Sequence, residues 1–447
     1  MEDINEYYRG LIDSNFKKNI KSAQEQREYI ENSTARYHGR IVYTMYIPKL
    51  FTKEAAEYFD KITGTMYGIM VKVIKEYEQN PEYRKLFGFD KRLEKLILRP
   101  DRYDCKLPIA RIDIFFNEED FSFKFCEFNT DGASAMNEDR ELNNAVARTK
   151  AFKDFQRKYN TKTYELFDSW VEAFTDIYKT YPKAKEKAHV AIVDFMSSAS
   201  DNEFEVFKEH FIKKGYTCEI CEITKLGYAD GKLLSPSGKQ IDVIYRRAVT
   251  CDIMKNYDRV KPFINAVKND DVCLIGDFKT QIVHNKRVFK ILHDDMTAAF
   301  LTDEENDFIA EHIPYTAFLT PDEVKRNDVL RNKDKWVIKP EDSYASKGVY
   351  AGVEFDSEKE WIEHVTENIG KDYLLQEYVK PYETLNIDIT HDENAKYRNY
   401  SSITGLFVYG GKFSGIYSRI AKNSIISTQY SEMSLASVVA DNKLTDR

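Results

Sequence analysis

The stretch LPIARIDIFFNEEDFSFKFCEFNTD, residues 107–131, consists of two apolar segments separated by Glu118, Glu119 and Asp120. This pattern predicts two β-strands joined as an antiparallel hairpin. Each strand carries two polar residues spaced two apart, so both side chains within a strand point to the same face. The four residues are Arg111, Asp113, Glu127 and Asn129.

The length of the turn decides whether the two polar pairs share one face. A three-residue loop at 118–120 would place Asp113 opposite Phe125 and all four polar side chains on one face. A loop of two or four residues would send the pairs to opposite faces, unless a β-bulge restored the parity. We predict the three-residue loop and a shared polar face.

The chemistry of these four side chains suits a metal ion beside phosphate. Two carboxylates and an amide carbonyl are hard oxygen ligands of the kind that Mg²⁺ prefers. An arginine next to them offers a planar fork for phosphate oxygens. The alternative is an ordinary amphipathic hairpin whose polar face is solvated or paired in salt bridges.

A second segment, WVIKP at 336–340, is an apolar strand that ends in Lys339. A lysine in that position is costly unless it meets an anion. The loop that follows is rich in small residues, including Ser346 and Gly348, and its backbone N–H groups could hold a triphosphate. An exposed strand end followed by an ordinary loop is the alternative.

Three further segments carry weaker signals. The strand LLQEYV at 374–379 is interrupted by an amide and an acid, and its backbone could contact an adenine edge. Asn285 and Lys286 open a short helix that could face an anion. Arg419 lies near Asn423 in the last long apolar stretch. A solvated or core-edge polar residue is the commoner explanation of each signal taken alone.

The rest of the chain of 447 residues predicts a mixed α/β protein of several subdomains. Residues 1–100 and 139–182 have helical periodicity, and residues 189–278 alternate strands and helices as in an open α/β sheet. Two more strands meet at the Tyr-Gly-Gly-Lys turn at 409–412, and the terminal stretch SLASVVADNKLTDR is expected to be poorly anchored.

Composition and missing motifs exclude several classes of protein. The net charge of −8 argues against a nucleic-acid partner, although local basic clusters can still bind phosphates. No apolar run approaches the roughly 20 residues of a membrane span, and the polar N-terminus does not resemble a secretory signal. We therefore expect a cytoplasmic protein with no membrane partner. The sequence contains no GxxxxGK[ST], GxGxxG, HExxH or GxSxG motif.

Taken in this order, the segments resemble the glutathionylspermidine synthase family. The shared features are R-x-D, E-x-N, a Rossmann-like stretch, N-K, IKP with a small-residue loop, QE and a late arginine. Members of that family have a circularly permuted ATP-grasp domain, and the resemblance spans roughly residues 100–430. It implies five parts: a helical N-terminal region (1–100), metal-binding strands (101–150), a Rossmann-like pre-ATP-grasp subdomain (151–284), a nucleotide-binding lobe (285–430) and a tail (431–447).

The resemblance also implies roles for the matching residues. ATP and one or two Mg²⁺ ions would be the cofactors, and the reaction would join a small-molecule carboxylate to an amine through an acyl phosphate. The implied metal ligands are Asp113, Glu127 and Asn129; the catalytic arginines are Arg111 and Arg419; and the nucleotide-binding residues are Lys286, Lys339, Ser346, Gly348, Gln376, Glu377, Tyr378 and Val379.

The chain departs from the family pattern in two ways. The amidase portion of some members is expected to be absent, and the string E-x-N-A-D-T-P is replaced by EFNTDGA at 127–133, without its proline. The carboxylate and the amine are therefore left open, as is the oligomeric state. Two other activities remain as alternatives: an ATP-dependent kinase or phosphotransferase on the same scaffold, and a non-catalytic nucleotide-binding protein.

Overall fold

The computed structural model describes residues 2–37, 39–197, 201–343, 347–426 and 432–443. The helices are α1 (Glu2–Ser14), α2 (Phe16–Asn32), α3 (Lys53–Gln79), α4 (Pro81–Lys85), α5 (Lys91–Ile97), α6 (Met136–Val146), α7 (Lys150–Phe155), α8 (Phe167–Lys179), α9 (Asp201–Lys213), α10 (Thr250–Lys255), α11 (Lys261–Lys268), α12 (Gln281–His284), α13 (Val288–Ile291), α14 (Asp295–Ala298), α15 (Asp303–His312), α16 (Pro321–Arg326) and α17 (Glu358–Asn368).

The strands form several sheets. They are β1 (Arg36–Tyr37), β2 (Arg40–Ile41), β3 (Lys49–Thr52), β4 (Ile109–Phe116), β5 (Phe123–Asn129), β6 (Tyr159–Lys162), β7 (His189–Asp194), β8 (Thr217–Glu222), β9 (Gly227–Ala229), β10 (Lys232–Leu234), β11 (Val243–Arg246), β12 (Cys273–Ile275), β13 (Thr316–Phe318), β14 (Trp336–Pro340), β15 (Tyr350–Ala351), β16 (Tyr373–Glu377), β17 (Glu383–Asn386), β18 (Arg398–Tyr409), β19 (Lys412–Ala421), β20 (Met433–Leu435) and β21 (Ser437–Asn442).

The N-terminal region is mainly helical, as its periodicity predicts. The hydroxyl oxygen of Thr52 accepts a hydrogen bond from the amide of Ala55 and so caps the start of α3. Buried residues recur at threes and fours along this helix and join the largest apolar core. Asn80 ends α3 and caps α4, which begins at Pro81.

The predicted α/β alternation is confirmed as a sheet with the order β12-β11-β7-β8, in which all neighbouring strands are parallel. We call it the parallel sheet. Strands β7, β11 and β12 are largely buried runs of β-branched and other apolar residues, as expected when helices cover both faces, whereas the edge strand β8 is more polar and partly exposed. A second sheet, β13-β16-β14-β15, is antiparallel and forms the lobe that carries Lys339.

The antiparallel sheet β20-β19-β18-β4-β5, with β17 also paired to β18, contains the predicted hairpin at one edge. Strands β18 and β19 meet at Gly410 and Gly411, which both have positive φ, so the predicted turn is confirmed. The sheet brings β4 and β5 beside β18 and β19 although almost 300 residues separate them in sequence.

The register of the β4–β5 hairpin differs from the one predicted. Asp113 lies opposite Glu127, whereas Ile114 lies opposite Phe125, so Cys126 is the extra residue of a β-bulge. The three-residue loop is wrong: the turn is closed by Asn117 and Ser122 and holds four residues. A four-residue loop alone would send the two pairs of polar side chains to opposite faces of the sheet. The bulge shifts the register by one residue and returns them to the same face, so the shared polar face is confirmed.

Two other expectations are corrected. The terminal stretch is not poorly anchored in its described part, because β21 lies between β3 and β6 and its first four residues are buried; residues 444–447 lie outside the described residues. The region 139–182 is not continuous helix, since β6 interrupts it to complete that sheet. The division into five parts stays a prediction. None of the helices in the described ranges combines the length and apolarity that a membrane span needs.

Candidate active site

The functional side chains share one face of the sheet β20-β19-β18-β4-β5. Arg111 lies opposite Asn129, and Asp113 lies opposite Glu127 across the β4–β5 pair. On the other side of β4, Asp113 is opposite Gly405 of β18. Directly paired residues point to the same face. Ile403 of β18 pairs with Arg419 of β19, so Arg419 joins the same face two positions along.

Asp113 is the centre of the polar cluster, and its side chain is fully buried. The guanidinium of Arg111 donates to both carboxylate oxygens, at 2.8 and 3.0 Å. Arg419 donates to Oδ2 from the opposite side, at 2.6 Å, and the amide of Asn129 donates to the same oxygen at 3.2 Å. The carboxylate of Asp113 therefore links β4 to β19, which lie on either side of β18.

Gly405 makes this arrangement possible. A Cβ at that position would lie 2.8 Å from Oδ1 of Asp113 and 3.0 Å from Cδ of Arg111. Any side chain there would push the pair off the sheet, because heavy atoms do not approach so closely. The sequence analysis did not single out this glycine, and only the strand register identifies it.

Arg419 has a second acidic partner, Glu432, whose Oε2 lies 3.4 Å from Nη1. Both arginines lie near the ring of Tyr417, at 5.7 Å for Arg111 and 5.9 Å for Arg419, measured from Cζ to the ring centroid. The Tyr417 hydroxyl donates to Glu138 at the start of α6. Sequence reasoning missed these three residues, because nothing local links them to the hairpin.

Glu127 differs from Asp113 in being partly exposed, with 31% of its side chain accessible. Its Oε1 accepts a hydrogen bond from Asn129 at 3.3 Å, and its Oε2 lies 3.9 Å from Nζ of Lys286. Burial alone would raise the pKa of its carboxyl, but Lys286 and the two arginines lower it to about 2. Glu127 is therefore an anion over the whole physiological range.

Two lysines complete the positive charge of the site. Lys339, at the end of β14, is 5% exposed, and its ammonium lies 5.0 Å from the ring centroid of Phe289. No carboxylate in the described ranges lies within 4 Å of it, and burial lowers the pKa of its ammonium to about 8. Lys286 donates to the carbonyl of Ser343, at 2.6 Å.

A cleft lies between the sheet β20-β19-β18-β4-β5 and the lobe formed by β13-β16-β14-β15. It brings most of the predicted residues together. Those that line it are Glu127, Lys286, Lys339, Gln376, Glu377, Tyr378, Val379 and Arg419. Arg111 and Asp113 are buried beneath this surface, whereas Asn129 is partly exposed and donates to the cleft residue Glu127. Apolar side chains, among them Phe115, Val337, Ile403 and Ile426, form much of the remaining wall.

The segment that was expected to meet adenine forms one side of this cleft. The side chain of Gln376 is buried and donates to Thr316, at 2.7 Å. The backbone N–H groups of Glu377 and Tyr378 donate to carbonyls of Tyr315 and Lys335. The pairing of β16 ends at Glu377, and both of these N–H groups are already bonded. A ligand could therefore contact the backbone of this segment only through Val379 or through the carbonyl groups of the segment.

The loop after Lys339 is only partly described. Gly348 has φ of +76°, and a Cβ there would lie 2.7 Å from the hydroxyl of Tyr373 and 3.0 Å from Cγ of Pro340. Both the backbone conformation and the space therefore require glycine. Ser346 lies outside the described residues.

Comparison with protein families finds no matching family, and no curated protein matches the sequence. Solved structures do match. A glutathione synthetase-like effector from Globodera pallida, in its apo form, is 12% identical, covers 94% of this chain and 96% of its own, and superposes with a TM-score of 0.61. A putative gamma-glutamylcysteine synthetase from Methylobacillus flagellatus is 9% identical, covers 87% of this chain and 90% of its own, and has a TM-score of 0.35.

The match to the Globodera pallida protein extends over nearly the whole of both chains, and at 12% identity it establishes the fold alone. The chain has the mixed α/β, ATP-grasp-like fold that the sequence predicts.

Proposed function

We propose that this protein is an ATP-dependent carboxylate–amine ligase that works through an acyl phosphate and is similar to glutathionylspermidine synthases. The observation that carries the proposal is a single cleft lined by Lys286, Lys339 and Arg419, with the ionised Glu127 among them. Lys339 is buried with no carboxylate of the described ranges within 4 Å, which is costly unless the site receives a negatively charged ligand.

The nucleotide is assigned to the lobe side of this cleft. Lys339 and Lys286 would contact phosphate oxygens, and Gly348 belongs to the loop that would cover them. The apolar wall, with the segment 376–379, offers a flat and partly buried surface for adenine. The same loop would exclude water from the acyl phosphate, which hydrolyses readily.

The donor set fits Mg²⁺. Glu127 is ionised and partly exposed, and within the described ranges the amide oxygen of Asn129 accepts no hydrogen bond. A carboxylate and an amide oxygen are ligands that Mg²⁺ accepts. When bound, the ion would neutralise charge on the phosphates and orient them for transfer.

In the first step a substrate carboxylate oxygen bonds to the γ-phosphorus, the bond to the bridging oxygen breaks, and ADP leaves. Arg419 and Lys339 stabilise the charge on the transferred phosphoryl group. In the second step an amine attacks the acyl carbon, the carbon–oxygen bond to phosphate breaks, and the nitrogen loses a proton. The residues described position these groups and neutralise their charge.

Hydroxylamine trapping tests the reaction class. An acyl phosphate formed from a candidate carboxylate and ATP reacts with hydroxylamine to give a hydroxamate, which is detected directly. A ligase produces hydroxamate and ADP only when ATP and its carboxylate are both present. A kinase or phosphotransferase gives ADP and a phosphorylated alcohol but no hydroxamate, and a non-catalytic nucleotide-binding protein gives neither product.

Nucleotide binding should be visible as thermal stabilisation. A ligand that binds only the folded protein adds about 2.7 kcal/mol at 100 times its dissociation constant, so millimolar Mg·ATP or Mg·ADP should raise the melting temperature. Lys339→Ala should abolish most of the shift. Lys359→Ala, whose side chain is 85% exposed on α17, is the matched control and should keep it. A wild-type protein that neither nucleotide stabilises would remove the basis of the proposal.

The affinity for Mg·ADP should depend on pH through Lys339. Only the ammonium form attracts phosphate, and burial lowers the pKa of this group to about 8 in the free protein. The affinity should therefore change little below pH 7 and fall by up to about tenfold per pH unit above pH 8. In Lys339→Arg the guanidinium stays charged, so this decline should disappear. Titration calorimetry at pH 7, 8 and 9 separates the two proteins, and equal declines would contradict the assignment.

A further inference from the structure

A surface depression between α2 and α7 is lined mainly by cations. Its volume is about 340 Å³, which lies within the range of small-molecule sites. In the described part of the chain it shares no lining residue with the cleft. Its cations, which we call the basic cluster, are Lys18, Lys21, Arg148, Lys150, Lys153 and Arg157. The depression is therefore a second candidate binding site.

The charge of this depression is opposite to that of the chain. Among the described residues two carboxylates, Glu25 and Asp154, line it together with the six cations. Asp154 pairs with Lys150 and, at 3.4 Å, with Arg157. No described carboxylate lies within 4 Å of the other four cations. The whole chain has a net charge of −8, so this local excess of positive charge is not a general property of the surface.

Two helices place most of these cations. Lys18 and Lys21 are three residues apart on α2 and therefore share a face of that helix. Lys150, Lys153 and Arg157 recur at intervals of three and four residues along α7 and just beyond its end. Like charges at such spacing destabilise a helix, so the arrangement is unfavourable until an anion offsets it.

The two sides of the depression are held in place by contacts within the protein. Ser22 lies in the lining, is 5% exposed, and accepts a hydrogen bond from the amide of Lys150 at 2.7 Å, which joins α2 to α7. The guanidinium carbon of Arg148 lies 4.3 Å from the ring centroid of Tyr29, and this contact restricts its orientation. A ligand would therefore meet cations whose backbones are already in position, which reduces the entropic cost of binding.

The chemistry of the lining selects among anionic ligands. Among the described residues it includes no apolar or aromatic side chain, so it offers nothing to stack on a nucleic-acid base or to insert into a bilayer. Ammonium and guanidinium groups make strong, charge-assisted hydrogen bonds to phosphate. A phosphate monoester carries about −1.5 to −2 charges at pH 7, so two phosphate groups would offset most of the excess of positive charge.

We propose that the basic cluster is a binding site for a small soluble molecule that carries two or more phosphate groups. The site is separate from the cleft, and this inference does not depend on the function proposed for the cleft.

Inorganic tripolyphosphate is the probe for this site. It is titrated by calorimetry into the whole chain in the presence of EDTA and excess ADP, so that ADP competes for the cleft. We expect binding that weakens as NaCl is raised from about 0.05 M to about 0.3 M, because salt screens exposed charges. Inorganic phosphate should bind about tenfold more weakly or worse, since one phosphate group reaches fewer of the cations.

The double variant Lys21→Gln/Lys153→Gln locates the binding. It removes one cation from each helix and should raise the dissociation constant of tripolyphosphate about tenfold or more. Both side chains are exposed, so the variant should fold, which circular dichroism checks. Lys61→Gln/Lys359→Gln is the matched control. It removes the same charge from exposed positions on α3 and α17 outside the depression, and should change the constant by less than about twofold.

Three results would overturn the inference. The first is a wild-type protein that does not bind tripolyphosphate, or that binds inorganic phosphate equally well. The second is an equal loss of affinity in the two double variants, because binding would then follow net charge alone. The third is sedimentation with vesicles of phosphatidylcholine and phosphatidylserine that depends on Lys21 and Lys153 without any binding of tripolyphosphate, which would assign the surface to a membrane. ATP binding at the cleft is tested separately by the thermal shift with Mg·ADP.

Discussion

Replacing Glu127 with glutamine is expected to lower ATP turnover by about 10²–10³-fold, the usual effect of removing one preorganised charge from a phosphoryl-transfer site. The substitution keeps the size and shape of the side chain, but it removes the negative charge and replaces one acceptor oxygen with an NH₂ donor. The site would lose the negative charge of a carboxylate on the cleft surface, and Lys286 and Arg419 would lose their common counter-ion.

The protein should remain folded, because the Glu127 side chain is partly exposed and is not part of an apolar core. Circular dichroism and thermal melting check the fold, and an ADP-release assay measures turnover. Glu119→Gln alters an exposed carboxylate of the same hairpin and should leave turnover as in the wild type. If Glu127 is merely part of a solvated amphipathic face, its variant should behave like that control.

The shared face of the hairpin could be predicted because a strand has a side-chain period of two. The turn could not be predicted from its charged residues alone. The side chains of Asn117 and Asp120 accept backbone hydrogen bonds two residues further on, which makes them the turn-forming residues. This was an available signal for a longer loop. Nothing in the residues around Cys126 marks the bulge, since it follows from packing of the whole sheet.

Residues far apart in sequence explain what sequence reasoning missed. Glu432 and Gly405 belong to the site only because β18, β19 and β20 pair beside the hairpin. Gly405 in particular looks like a weak point in an apolar strand until its register against Asp113 is known. The terminal strand was missed for a similar reason: its partners, β3 and β6, are distant in sequence and short.

The residue just after the hairpin should have a large effect on stability. Asp131 and Arg246 form a buried ion pair, with 0% and 1% of their side chains exposed. The other oxygen of Asp131 accepts a hydrogen bond from the amide of Thr250, at 2.6 Å. The guanidinium also donates to the carbonyl of Ala248 and to the hydroxyl of Thr280. The pair thus joins the metal-binding hairpin to the end of β11 in the parallel sheet.

Asp131→Asn is expected to lower the free energy of unfolding by about 3–5 kcal/mol, because it leaves a buried guanidinium without its counter-ion. Urea unfolding followed by circular dichroism measures the change. Burial would raise the pKa of the Asp131 carboxyl, but Arg246 outweighs it and holds the pKa below its usual value. The stabilisation is therefore complete above about pH 4 and is lost as the pH falls through the folded-state pKa. Asp131→Asn should lack this part of the acid dependence.

Asp258→Asn is the matched control, since Asp258 pairs with Lys261 at the surface and its side chain is 81% exposed. Exposed pairs contribute about 0–1 kcal/mol, so the control should unfold almost as the wild type does. A loss of less than 1 kcal/mol in Asp131→Asn would show that the hairpin is held to the parallel sheet by apolar packing and not by this pair. A full loss would mean that the geometry of the candidate site depends on an ion pair outside the cleft, because the strand that ends in Asn129 continues directly into Asp131.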